Sequence, residues 1–191
     1  GLVTPDREAL LARLEKVREP LKDTRFSFEA ANDHVDATCP WGNRIRIHEP
    51  DRARFGPIQL GMPYVEFGVP EGTARGIARF YREIMAAPAE VREEDGGIAA
   101  HASVGHKQEL IYRETREKLP AYDGHHLAIY IADFSGPHKR LLERGLVSEE
   151  SDQHQYRFID IVDVESNSVL FQIEHEVRSM RHPLYARPLV N

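Results

Sequence analysis

One order of elements occurs three times along this chain, and it limits the fold more than any other feature of the sequence. Each copy reads as a short apolar strand, a turn bearing Pro or Asp, an amphipathic helix, and then three strands separated by turn residues. The strand ends fall at Asp6, Pro70 and Asp133, so the period is about 63 residues. A single unit of this kind has a four-stranded sheet with one helix on it, which leaves the other face to be covered. Pairing two units solves that problem.

In the first copy, Leu2-Val3 runs into Pro5-Asp6, and a helix from Arg7 to about Arg18 sets Leu10, Leu11, Leu14 and Val17 on one stripe before Pro20 ends it. Strands are expected at Arg25–Glu29, His34–Thr38 and Arg44–His48, with Cys39-Pro40-Trp41-Gly42-Asn43 as the last turn. The second copy offers Tyr64–Val69, a helix N-capped by Thr73 with Ile77, Phe80, Tyr81 and Ile84 at helical spacing, and strands at Glu90–Glu93, Ile98–Val104 and Gln108–Arg113. Arg79, Tyr81 and Arg82 read as ordinary helix-surface residues. The third copy offers His126–Asp133, a helix N-capped near Ser135 and closed by Gly145, a weak strand near 147–151, and strands at Tyr156–Val162 and Val169–Val177. Proline- and glycine-bearing linkers, 49–59 and 115–124, separate the copies. The expected organisation is a module over 1–55, then two paired modules over about 60–116 and 122–180 with a tail, in the region 60–191.

Composition removes several classes of function. With 41% hydrophobic and 29% charged residues the chain is an ordinary globular one, and a net charge of -6 lacks the clustered cations that a nucleic-acid backbone requires. One cysteine, Cys39, excludes an intrachain disulfide framework and fits a reducing compartment, so a cytoplasmic location is expected. No apolar run approaches the roughly 18 residues of a membrane span. The chain opens at Gly1 with a first strand that reads as cut short, and the expectation is that its partner module lies upstream or in a second chain, which gives a homodimer.

Three stretches carry a family resemblance: 124–133 (Gly-His-His-Leu-Ala-Ile-Tyr-Ile-Ala-Asp), 61–67 (Gly-Met-Pro-Tyr-Val-Glu-Phe) with the helix around Ala78-Arg79-Phe80-Tyr81, and Gly42-Asn43-Arg44-Ile45. In these the chain resembles, over nearly its whole length, the vicinal oxygen chelate superfamily of glyoxalases, bleomycin-resistance proteins and extradiol dioxygenases. The resemblance implies an α+β fold in which βαβββ modules pair into cup-shaped mixed sheets with helices outside. It also implies a divalent metal (Fe, Mn, Ni or Zn), held by residues of first and last strands, that acts on a small oxygenated substrate.

Carried over residue by residue, the first-strand ligand position is His126 in the third copy, whereas the second copy has Pro63 there and in the first copy the position falls before Gly1. On the third copy's last strand, alternation assigns Val169, Phe171 and Ile173 to the core and Leu170, Gln172, Glu174 and Glu176 to the cup. Gln172 and Glu174 are the expected ligands there, and the segment 174–176 has the alternative of being a polar edge strand. Glu109 takes the last-strand position of the second copy, and Arg46 that of the first. His126, Glu109, Gln172 and Glu174 are therefore the expected metal ligands, with Glu109 and Glu174 as the carboxylates available for acid-base work. His101 and His106 are read as core or surface residues, and the basic tail 178–191 as a strap or as a lender of Arg or Tyr to the cup. The leading expectation is a metal-dependent enzyme of the glyoxalase or ring-cleaving type. A non-catalytic small-molecule binding module, favoured by Pro63 and Leu170 at ligand positions, and a structural role are the alternatives.

Overall fold

The computed structural model describes residues 1–94 and 96–186; residues 187–191 of the basic tail lie outside the described residues. The chain divides into two compact units, Gly1–Val65 and Glu66–Asn191.

The first unit contains β1 (Leu2–Val3), α1 (Arg7–Arg18), β2 (Ser27–Ala30), β3 (His34–Thr38), β4 (Arg44–His48) and α2 (Arg52–Phe55). The carboxylate of Asp6 accepts from the Ala9 amide at 2.8 Å and so satisfies one of the unpaired donors that open α1. Its strands run in the order β1-β4-β3-β2, with β1 parallel to β4 and the remaining pairs antiparallel. Alternation sends Val35, Ala37, Ile45 and Ile47 to one face, where Leu10, Leu11 and Leu14 of α1 cover them. Fully burying a side chain such as Val35 or Ile47 contributes roughly 2 kcal/mol. β2 starts two residues later than the sequence suggests. A turn explains the delay: the Thr24 amide bonds to the Leu21 carbonyl and the Phe26 amide to the Thr24 hydroxyl, so Arg25 and Phe26 are still reversing direction.

The second unit holds two modules. One comprises β5 (Tyr64–Pro70), α3 (Ala74–Glu83), β6 (Ala89–Glu94), β7 (Gly97–Gly105) and β8 (Gln108–Thr115). The other comprises β9 (His126–Ile131), α4 (Ser135–Glu143), β10 (Val147–Asp152), β11 (Gln155–Val162) and β12 (Val169–Ser179). Their sheets run β5-β8-β7-β6 and β10-β11-β12-β9, and β9 is parallel to β12. The α+β class and the repeated βαβββ modules expected from the sequence are thus present three times over.

Both helix starts differ in detail from the expected caps. Thr73 occupies the N-cap of α3, but its hydroxyl donates to the Pro70 carbonyl, and the Ala74 amide is satisfied by the Glu114 carboxylate of β8 at 2.9 Å. Ser135 is the first residue of α4 rather than its cap, and Asp133 accepts from the Gly136 amide at 3.0 Å. Tyr81 departs further from expectation. It is fully buried, because α3 packs across its own sheet and also reaches β11 and β12, which leaves no solvent side at that position.

β12 is not an edge strand: it lies between β11 and β9. Its alternation is also broken. While β11 advances from Phe158 to Asp160, β12 moves from His175 to Gln172, so β12 carries an extra residue there, and a second register shift follows at Ile161/Val162. The bulge leaves Gln172 on the side of Asp160 and Phe158, and Glu174 and Glu176 on the side of Arg157. Gln172 and Glu174 therefore do not share a face, contrary to the simple alternation. Val169 is half exposed rather than core, and Leu170 reaches the helix side, where its Cδ1 would lie 2.6 Å from a Cβ placed on Gly76 of α3.

Candidate functional site

The parallel pairing of β9 with β12 sets His126 opposite Glu174, Ala128 opposite Glu176 and Tyr130 opposite Arg178. Side chains at matched positions of neighbouring strands leave the same face, so these residues form one polar surface with Arg157, the partner of Glu176 on β11. Arg157 spans both carboxylates of β12, with Nη1 donating to Glu174 Oε1 at 2.9 Å and Nη2 to Glu176 Oε2 at 2.8 Å. The other oxygen of Glu176 meets the guanidinium of Arg178, which in turn donates to the Tyr130 hydroxyl at 3.0 Å. Glu176 is 4% exposed, so two guanidinium groups compensate a carboxylate withdrawn from water. His126 is exposed, and its imidazole makes no hydrogen bond to another described residue. In the described part of the tail, His182 meets Tyr130 edge-on and Tyr185 packs against it at a tilt, with ring centroids at 6.2 and 5.3 Å.

The equivalent face of the preceding module carries a second network. Glu109 of β8 accepts from Arg92 of β6 at 3.2 and 3.4 Å and faces His101 Nδ1 of β7 at 3.0 Å. Burial works to raise the Glu109 carboxyl, but the bonds to His101 and Arg92 outweigh it and hold the group below the usual carboxylate range. Arg113 pairs with Glu66 and Glu94, and its bond to Glu94 holds that carboxyl low as well. His101, read from the sequence as a bland residue, is the buried centre of this network. In the first unit the pattern recurs, with Arg46 of β4 donating to both oxygens of Asp36 on β3 at 2.8 and 2.9 Å.

Of the four expected ligands, the structure brings two together: His126 and Glu174 are matched across β9 and β12. Gln172, beyond the bulge, donates to Asp160 at 2.8 Å, and Glu109 belongs to a different sheet. The donor set in this arrangement does not fit a divalent cation. Glu174 and Glu109 each hold a guanidinium, and a unit positive charge about 4 Å from another is repelled by about 4 kcal/mol at an effective dielectric of about 20. Among the described residues, no group of three or more His, Cys, Asp or Glu side chains is placed to share one ion.

Sequence reasoning missed a buried polar chain behind the same strand. His175 is fully buried and stacked on Phe158 at 4.3 Å, and its Nδ1 lies 2.9 Å from the Ile173 carbonyl. Its Nε2 is 2.5 Å from the Tyr81 hydroxyl, which is 2.5 Å from that of Tyr112. Burial pushes His175 down to about 4, against the smaller opposing pull of the Ile173 carbonyl, so the ring is neutral at pH 7. The available signal was the odd-numbered run Ile173, His175, Val177, in which a histidine takes a core position.

No protein-family model matches the sequence, and no curated protein matches it significantly. Solved structures do. A Bacillus subtilis protein provisionally described as a dioxygenase aligns over 93% of this chain and 60% of its own, with 14% identity and a TM-score of 0.54. The two proteins share a fold. This chain spans 60% of that protein's length. A protein from Bacillus anthracis provisionally placed in the glyoxalase family aligns over 63% of this chain and 94% of its own, at 19% identity and a TM-score of 0.46. A fosfomycin resistance protein of Mesorhizobium loti aligns over 62% and 91%, at 16% identity and a TM-score of 0.43. The likeness is one of module order and sheet topology, and identities this low leave the chemistry to be argued from the side chains.

Proposed function

We propose that this protein binds a small molecule on the polar face of the β9–β12–β11 sheet and does so without a metal. The observation that carries this reading is the fork of Arg157 on Glu174 and Glu176, which places a protein cation where a bound metal's carboxylate ligands would be required. The charges of Arg157 and Arg178 cancel those of Glu174 and Glu176, which favours an uncharged or zwitterionic ligand held by hydrogen bonds. His126, Tyr130 and the tail residue Tyr185 are the side chains available to contact it.

Thermal-shift screening of uncharged, zwitterionic and anionic small molecules, repeated with His126→Ala, tests this function. Hits should concentrate in the first two classes and weaken in the variant. Stabilisation by anions alone, or hits indifferent to the variant, would sink the assignment.

The metal-dependent enzyme remains a second reading because His126 and Glu174 are matched on adjacent strands. Elemental analysis of protein purified without chelator separates the two: a stoichiometric transition metal that disappears in His126→Ala overturns the metal-free reading, and its absence removes the metal-dependent one. The expected homodimer belongs to either reading and is checked by light scattering. Among the described residues, no helix is long and apolar enough to cross a membrane.

A further inference from the structure

We infer that a cavity between the start of α4 and the β10–β11 hairpin is a binding site for a small organic ammonium ion, separate from the polar face of the β9–β12–β11 sheet. The cavity measures about 220 Å³, and its walls include Phe134, Ser135, His138, Glu150, Asp152 and Tyr156. Tyr156 precedes Arg157 on β11 with no register break between them, so the two side chains leave opposite faces of the sheet. The volume is about seven times the ~30 Å³ share of a water molecule, which admits an ammonium group on a short alkyl chain and little more.

Its chemistry selects a cation. The rings of Phe134 and His138 each pack on that of Tyr156 with centroids 5.0 Å apart, so three π systems meet at one wall, and aromatic faces attract an ammonium through their quadrupole. Glu150 and Asp152 bring two carboxylates to the same cavity. Glu150 lies 2.6 Å from His138 Nε2, while Asp152 accepts from the His154 amide at 2.6 Å and pairs with no cation among the described residues. The cations of α4 are committed elsewhere: Lys139 lies 3.9 Å from Glu143, and Arg140 donates to the Ile84 carbonyl at 2.7 Å. Where the field of Arg140 reaches the Tyr156 hydroxyl, that of Asp133 opposes it. Asp133 also takes up the positive end of α4 by accepting from the Gly136 amide at 3.0 Å, which keeps the helix from turning the site towards anions. Tyr156 is 1% exposed, and its hydroxyl has no hydrogen-bond partner among the described residues, a costly state that the N–H of a bound ammonium relieves.

The test is titration of ethylammonium chloride into the isotope-labelled full chain, followed by amide NMR, with sodium chloride as the control for charge alone and ethanol as the uncharged isostere. Ethylammonium alone should give saturable shifts in the millimolar range, confined to residues 134–138 and 150–156. The double variant Glu150→Gln with Asp152→Asn changes two exposed side chains and keeps their shape, so it folds, and it should weaken binding about tenfold. Phe134→Leu should weaken it about threefold. His126→Ala, which removes a contact on the polar face, should leave it unchanged, so this outcome is independent of the metal-free reading above. Shifts that do not saturate, equal shifts from sodium or ethanol, binding indifferent to either site variant, or binding lost in His126→Ala overturns the inference.

Discussion

The buried chain from Tyr112 through Tyr81 to His175 has a direction, and that direction predicts unequal costs for two similar substitutions. The Ile173 carbonyl can only accept, so His175 must carry its proton on Nδ1, and Nε2 is left as an acceptor. The Tyr81 hydroxyl therefore donates to His175, and its oxygen accepts from Tyr112. Replacing Tyr81 with Phe orphans two fully buried groups at once, the Nε2 acceptor and the Tyr112 donor. An orphaned buried polar group costs about 1–3 kcal/mol, so Tyr81→Phe should destabilise by roughly 3–4 kcal/mol. Tyr112→Phe removes only the terminal donor and leaves the bond from Tyr81 to His175 in place, for roughly 1 kcal/mol. Urea unfolding followed by circular dichroism, with both variants measured against wild type, resolves a gap of that size. The reasoning is refuted if Tyr112→Phe costs as much as Tyr81→Phe, or if Tyr81→Phe costs less than 1 kcal/mol.

Other expectations follow from the same geometry. His175 has its folded pKa depressed to about 4 against an unfolded value near 6.5, so its contribution is fully present above pH 6.5 and is lost as pH falls from there towards 4. The loss should reach about 3 kcal/mol, read as a fall in unfolding free energy, and nitrogen NMR should show this ring neutral and Nδ1-protonated at pH 6; a ring already charged at that pH contradicts the assignment. His48 of the first unit, whose ring is 3.0 Å from the Tyr64 hydroxyl, is also held near 4, chiefly by burial and then by the nearby positive charge of Arg54, and its NMR titration should run in the same direction. Glu176→Ala leaves Arg157 and Arg178 short of a buried partner and should cost about 3 kcal/mol in urea unfolding. Arg116→Ala removes an ion pair with Glu71 whose partners are 85% and 57% exposed, and should stay within experimental error of wild type.

The fold was readable in the sequence because its signals are local and repeated. Leu10, Leu11 and Leu14 recur at helical spacing, the strands His34–Thr38 and Arg44–His48 alternate over a full period, and the same grammar returns at Pro70 and Asp133. What failed were inferences that need to know what lies opposite. Tyr81 satisfied two readings, core stripe and helix surface, and only the arrival of β12 over α3 decides for burial. The edge-strand alternative for Glu174-His175-Glu176 arose because charges at every second position are commonest on edges, and the pairing of β12 with β9 on its other side rules it out.

The candidate site was legible to a lesser degree for a physical reason that concerns β12 in particular. A face assignment by alternation assumes that every residue advances the pleat by one step, and an inserted residue reverses every assignment on one side of it. Counting back from Val177 puts Ile173 in the core and counting forward from Phe171 agrees with it, so nothing in the sequence marks the bulge. Its effect is to separate Gln172 from Glu174 and to bring Glu174 under the guanidinium of Arg157. The family resemblance named His126 and Glu174 together, and the register of β9 on β12 matches them, but the cation that the β12 carboxylates hold is a property of the neighbouring strand. Arg157, seventeen residues upstream of Glu174, gives no sign of that role until β11 and β12 are paired.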